Sequence, residues 1–244
     1  MIRPQRWILI RGLIRSRLHW GDFPQTLKSQ LKLTSVECVE LPGNGILHTE
    51  KTPARIEDAI SAMKSQIEPI EQPVHLLGIS LGGILATKWA QLYPNEVSHL
   101  SLINSSSGLS PFYDRLYPAN YVSIIKNLLA GTPRELEEFI LKVSSNEEEK
   151  WKPVLDRYTA FHAEHPVSTA NFIRQLQLTS QVNFKDIPHS SNKIYASARD
   201  RLVNPDCSRQ IAKKWNCELF LNSKAGHDLP LDDENWLISQ LQNT

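Results

Sequence analysis

Cysteine is scarce in this chain of 244 residues: Cys38, Cys207 and Cys217 are its only thiols, and they form no C-x-x-C. They give neither a disulfide framework nor a cysteine-based metal site, and they suit reduced, mostly buried thiols in a cytoplasmic protein. Net charge is nearly absent as well, at +1, and no basic stripe runs along the chain, so no electrostatic case for nucleic acid exists. Long apolar runs are missing: none approaches the roughly 20 residues of a membrane helix. The run Trp7-Ile8-Leu9-Ile10 is cut off by Arg11, too short for a signal peptide and without a small-residue cleavage site. Internal repeats and low-complexity segments are also lacking. What is present is ordinary for a globular domain, with 41% hydrophobic and 22% charged residues. The length allows one domain with an insertion and a large core.

Short apolar runs alternate with helical patterns. Strands are expected at Trp7 to Ile10, Val36 to Leu41, Val74 to Ile79, Val97 to Ile103, Ile194 to Ala198 and Cys217 to Leu221. Their nearly continuous apolar character fits parallel strands covered on both faces, joined by right-handed crossovers. Thr52-Pro53 and Asn204-Pro205 each read as a cap followed by proline at the first helical position. Ile56, Ala59, Ile60, Met63 and Ile67 continue the first of these at helical spacing. Between the fourth and fifth strands the alternation stops. Residues 105–189 contain six prolines from Pro111 to Pro188 and no strand pattern, but Thr132-Pro133-Arg134-Glu135 is a capping box. Leu136, Phe139, Ile140 and Val143 extend it, and Phe172 and Leu176, with Ile173 beside them, suggest another helix. The expected organisation is a core of residues 1–104 and 190–244 with a helical cap inserted at 105–189. Glu147 to Lys150 reads as a solvated helix end.

Gly78-Ile79-Ser80-Leu81-Gly82 reads G-x-S-x-G between an apolar run and an amphipathic one. Strand, sharp turn and helix in that order push a serine hydroxyl out of the sheet, and the flanking glycines remove clashes. A serine is a poor nucleophile until a base takes its proton, and the base needs an orienting acid. His227, in Ala225-Gly226-His227-Asp228 after the last strand, is the first candidate base, and His189 is its main competitor. His75 and His99 lie inside strands, His19 and His48 in loops without a supporting pattern. His162 and His165 form an H-x-x-H that no carboxylate or cysteine completes as a metal site, which leaves them as surface residues. Asp200 falls just past the fifth strand and is either the acid or a turn residue. Ser80, Asp200 and His227 follow the chain order nucleophile, acid, base.

On these residues the chain resembles the α/β-hydrolase superfamily from Trp7 to about Leu241. The resemblance is carried by Gly78 to Gly83, by Asp200-Arg201-Leu202-Val203, by Gly226-His227, and by Leu41-Pro42-Gly43-Asn44-Gly45, which looks like the L-P-G-x-G loop of small esterases. It is close to capped carboxylesterases that act on pimeloyl-carrier-protein methyl ester, and looser to bacterial C–C hydrolases. It implies an α/β fold with a mainly parallel sheet of about six strands and a helical cap after the fourth. It also implies an oxyanion hole from the backbone N–H groups of Leu13 and Leu81. The family's usual His-Gly after the first strand is Arg11-Gly12 here. Arg11 is either a structural substitution or a substrate contact. The loop with Arg11, Arg15 and Arg17 reads as solvated.

The implied chemistry is two-step acyl transfer on a carboxylic ester, without metal or organic cofactor. A C–C hydrolase or lyase on the same scaffold, and a non-catalytic ligand- or partner-binding relative, are the alternatives. The ester is a small molecule or carrier-bound. Phe112, Tyr113, Tyr117 and Tyr121 are the candidate substrate contacts, and Trp151 and Phe161 are also available to line a pocket. Lys126, Arg134 and Arg174 are surface cations able to meet an acidic carrier.

Overall fold

A computed structural model describes residues 5–242. Six parallel strands lie in the order β2-β1-β3-β4-β5-β6. They are β1 (Arg6–Ile10), β2 (Ser35–Val39), β3 (Val74–Ile79), β4 (Val97–Ile103), β5 (Ser191–Ser197) and β6 (Glu218–Asn222). Each starts or stops within three residues of the expected run. The helices are α1 (Phe23–Leu31), α2 (Ile56–Lys64), α3 (Leu81–Leu92), α4 (Phe112–Arg115), α5 (Pro118–Ala130) and α6 (Pro133–Ser144). They continue with α7 (Glu148–Glu164), α8 (Thr169–Leu178), α9 (Asp206–Trp215), α10 (Leu229–Asp232) and α11 (Glu234–Leu241).

The two-residue period of a strand sends alternate side chains to opposite faces. Ile8, Ile10 and Leu76 pack against α2, α3 and α9 through Ile60, Trp89 and Ile211. Trp7, Leu9, Leu77 and Ile79 pack on the other face against α1 and α11 through Phe23, Leu27 and Ile238. Both faces are dry, which explains the continuous apolar runs. The chain order runs outward in both directions from the β1–β3 pair. Ligands of open α/β sheets bind in the crevice beyond the carboxyl ends of the strands at such a reversal. Ile10 is level with Gly78 there, and Ile79 with Ile103, so the turns after β1, β3 and β4 share one edge.

Five helices, α4 to α8, fill the chain between β4 and β5. Thr132 caps α6 as expected: Glu135 N–H donates to Thr132 Oγ1 at 3.2 Å, and Thr132 N–H donates to Glu135 Oε2 at 2.7 Å. Ile124, Leu136, Ile140 and Phe172 form a small core inside this segment, with Ile14 from the loop after β1. Ile173 points outward and is 47% exposed. Glu148, Glu149 and Lys150 open α7 and are exposed. The helix expected at Pro53 starts three residues later, with Arg55 as its cap. The Thr52 hydroxyl is engaged elsewhere, donating to the Pro42 carbonyl at 2.8 Å. α9 opens one residue later than expected, and Asn204 Oδ1 accepts the Asp206 N–H at 3.0 Å.

Candidate active site

The turn between β3 and α3 is as strained as its sequence suggests. Ser80 has φ +56° and ψ −122°, a region that costs a non-glycine residue about 1–3 kcal/mol. Surroundings leave it no alternative. A side chain at Gly82 would run into the Ile10 carbonyl, and one at Gly78 into the backbone of Gly82. Ser80 N–H donates to the Ile103 carbonyl at 2.9 Å, pinning the turn to the end of β4. A Cβ on Gly12 would come within 3.0 Å of Ser80 Cβ and 3.6 Å of Ser80 Oγ. The backbone after β1 therefore lies directly against the serine.

Asp200 and His227 are brought together. His227 Nδ1 lies 2.7 Å from Asp200 Oδ2, and both residues are buried. The other carboxylate oxygen accepts the N–H groups of Leu202 and Val203 at 2.7 and 3.0 Å. Three bonds thus fix the carboxylate, one of them to the imidazole. Sequence reasoning missed the residue that sets the two loops relative to each other. Asn104, at φ +46° just past β4, donates to the His227 carbonyl at 2.8 Å and to Ser197 Oγ at 3.0 Å. Its Oδ1 accepts the Ser197 N–H at 2.7 Å. The only signal for it in the sequence is an asparagine, a residue tolerant of positive φ, directly after a strand. His189 lies beside Pro73, Pro94 and Val97, at the opposite end of the strands from Ser80. It is too remote to compete with His227.

The arginine loop is not solvated, which corrects the expectation from sequence. Arg11 is buried and forms a bidentate pair with Asp228, at 3.1 and 2.6 Å. Its guanidinium also stands 4.8 Å above the Trp20 ring. Burial would raise the Asp228 pKa, but the charge and hydrogen bonds of Arg11 outweigh it and hold the carboxyl below its usual range. The arginine in place of the family histidine therefore ties the Gly12 loop to the residue after His227. Arg15 is buried too, with Nη1 2.5 Å from Glu137 Oε2 on α6. Glu137 Oε1 meets His162 Nδ1 at 3.1 Å, and His19 Nε2 lies 4.0 Å from Oε2. His162 is thus an internal partner of Glu137, not a surface residue. Burial opposes ionisation of Glu137, yet Arg15 and the histidines bring its pKa down to about 2. Burial and the charge of Arg15 push the His19 pKa well below its usual value. Arg17 alone of the three is exposed.

Ser80, Leu81, His227, Gly12 and Leu13 share the wall of a cavity of about 150 Å³. The helical segment adds Phe112, Leu116, Tyr121, Ile124, Ile140 and Leu176, and the core adds Arg11, Arg15, Leu202, Val203 and Asp228. Of the four candidate contacts, Phe112 and Tyr121 line this cavity, although Phe112 is 71% exposed. Tyr113 and Tyr117 do not line the cavity. Tyr113 faces outward against the edge of Phe112, and Tyr117 N–H donates to the Leu202 carbonyl at 3.0 Å. Trp151 is packed with Leu155 and Tyr158, and Phe161 stacks on His165, so neither reaches the cavity. Of the surface cations, Arg134 is paired with Asp156 at 2.6 Å. The L-P-G-N-G loop supports the site from behind. Asn44 Nδ2 donates to the Arg15 carbonyl at 3.0 Å, and Asn44 Oδ1 accepts from Gln175 Nε2 at 2.7 Å. Gln175 Oε1 in turn accepts the Ile14 N–H at 2.9 Å.

A doubly covered parallel sheet, a strained serine on the turn after its third strand, and a carboxylate–imidazole pair at the same edge define a class of protein. The chain belongs to the alpha/beta hydrolase family, whose model matches residues 7–237. It is 22% identical over 245 residues to the Homo sapiens protein monoacylglycerol lipase ABHD6, covering 92% of this chain and 70% of that protein. It is 32% identical over 128 residues to a pimeloyl-[acyl-carrier protein] methyl ester esterase of Chromobacterium violaceum, covering 50% of this chain and 48% of that one. Among solved structures, the enol-lactonase of Burkholderia xenovorans LB400 superposes with a TM-score of 0.77 at 15% identity, over 100% of this chain and 91% of that one. At that identity the likeness is one of fold. No helix of the described residues is long and apolar enough to cross a membrane.

Proposed function

We propose that the protein is a serine hydrolase that cleaves carboxylic esters by two-step acyl transfer. The observation that carries this reading is the 2.7 Å Asp200–His227 contact facing the cavity that Ser80 also lines. In this reading His227 takes the proton of Ser80, and Ser80 attacks the ester carbonyl. The N–H groups of Leu13 and Leu81 hold the oxygen that becomes negative. His227 then protonates the leaving alcohol and activates the water that releases the acid, while Asp200 keeps the imidazole in the tautomer this requires. Helices α4 to α8 act as a cap that excludes water and shapes the acyl pocket. The esterase and lipase names among the relatives support ester chemistry.

The test is turnover of a series of 4-nitrophenyl esters together with labelling by a fluorophosphonate. Ser80→Ala should abolish labelling and lower kcat by about 10⁶, the loss seen when a triad nucleophile is removed from a serine protease. Wild-type protein that neither labels nor hydrolyses any ester of the series refutes the reading.

A further inference from the structure

The cavity wall carries one positive charge more than it neutralises. Three arginines line it, Arg11, Arg15 and Arg115, against one carboxylate, Asp228. Arg11 pairs with Asp228, and Arg15 with Glu137. Arg115 forms no ion pair among the described residues. Its Nη2 donates to the Thr179 carbonyl at 2.9 Å, at the end of α8. One carbonyl engages one of five guanidinium N–H donors and leaves the charge uncompensated. The acid next to it in the chain is turned to other work, since Asp114 Oδ1 accepts from Asn204 Nδ2 at 2.9 Å. Tyr121 stands in the same wall. Burial raises the pKa of its hydroxyl and the charge of Arg115 pulls against that rise, so the two groups feel each other. Around them the wall is apolar, with Leu116, Ile124 and Leu176. Neither group is fully buried, so both can meet a ligand that enters the cavity.

We infer that Arg115, together with the Tyr121 hydroxyl, is a binding subsite for a carboxylate carried by the substrate. The preferred esters are then half-esters of dicarboxylic acids, with the free carboxylate on Arg115 and the scissile carbonyl at Ser80. This rests on the ester-hydrolase reading for its substrate class, whereas the subsite itself does not need that chemistry. A guanidinium is suited to the task because its planar fork matches a carboxylate bidentately and stays charged.

The experiment compares ethyl half-esters of succinic through suberic acid with neutral ethyl alkanoates of equal chain length, product acid being read by chromatography. At the best-fitting length the half-ester should exceed its neutral counterpart in kcat/KM by on the order of 10- to 100-fold, the scale of a hydrogen bond to a charged group. In Arg115→Gln that ratio should collapse towards one, and Arg115→Lys should restore part of it. A wild-type protein that prefers neutral esters at every length overturns the inference, and so does a ratio that survives Arg115→Gln. Hydrolysis of no ester at all defeats the ester-hydrolase reading alone. The subsite is then read by calorimetric titration of glutarate and adipate into wild type and Arg115→Gln, where equal or absent binding overturns it.

Discussion

Ser80 lies where two differently built regions meet. Below it is the edge of the sheet, where backbone contacts dictate nearly every atom. Gly12, Gly78 and Gly82 are places where one added carbon meets another chain segment. Asp200 and Asn104 are each held by three hydrogen bonds or more. Above it are α4 to α8, helices whose own small core leaves Phe112, Tyr113, Val122, Leu129 and Ile173 exposed. The lower region holds Ser80, Asp200 and His227, the residues of the proposed chemistry. The upper region is bonded to it along its length, through Glu137 on Arg15, Gln175 on Asn44 and Ile14, Asn171 on Thr52, Asn120 on Arg201 and Asn146 on Asp232, and it supplies much of the cavity wall beside Ser80.

Substitutions should separate the two regions by the size of their effect. Asp200→Asn keeps the shape of the lower region but leaves the imidazole in the wrong tautomer. We expect kcat on a chromogenic ester to fall by about 10⁴, with the fold intact by circular dichroism. Retention of more than a tenth of the activity would remove Asp200 from this role. Asp228→Ala leaves Arg11 buried and unpaired, so unfolding in urea should show a loss of about 3–5 kcal/mol. A loss below about 1 kcal/mol would mean that the pair does not hold the lower region together.

The contact between the regions should be sensitive to acid. The folded pKa of His19 lies well below 6.5, and that of Glu137 falls from 4.5 to about 2. In both cases the unfolded chain binds a proton that the folded chain refuses, so stability is full at neutral pH and falls with pH. His19 contributes first, as pH drops below about 6.5, and Glu137 from about 4.5 downwards. The Glu137 contribution is on the order of 3 kcal/mol. Urea midpoints recorded from pH 7 to pH 3 should decline in wild type, and the decline below pH 4.5 should flatten in Glu137→Gln. Parallel curves would place the acid sensitivity elsewhere. Effects confined to the upper region should be smallest. Phe112→Ala and Tyr121→Ala should alter the relative kcat/KM of short and long esters by about 1–3 kcal/mol, without preventing phosphonate labelling. An unchanged profile would mean that the lower region selects the acyl chain by itself.

Legibility followed the same division. The placement of Ser80 on its turn and of Asp200 beside His227 could be anticipated because each is tied to a local signal, a glycine pattern or the end of an apolar run. The strands were legible because burial on both faces leaves an unbroken apolar trace. The Arg11–Asp228 pair was not, because 217 positions separate partners that carry no shared pattern. For the same reason three arginines in ten residues looked like a solvated loop when two of them are internal. The aromatic residues at the start of the helical segment were hard to sort. Tyr117 and Tyr121 have the spacing of one helical turn, but Tyr117 is the cap before α5, with φ −57° and ψ 133°, and only Tyr121 lies on the helix and lines the cavity. Sequence spacing does not fix where a helix opens to within a residue or two.

The Arg11–Asp228 contact also has a history within each molecule's synthesis. Arg11 leaves the ribosome 217 residues before its partner. At 5–20 residues per second, the 217 positions between them take on the order of 10–40 s to make. For that time the guanidinium has no internal acid and stays in water. The loop carrying Gly12 and Leu13 cannot settle against the serine turn through this pair until Asp228 has emerged. Closure of this contact is thus timed by translation, not by the folding of the strand that precedes Arg11.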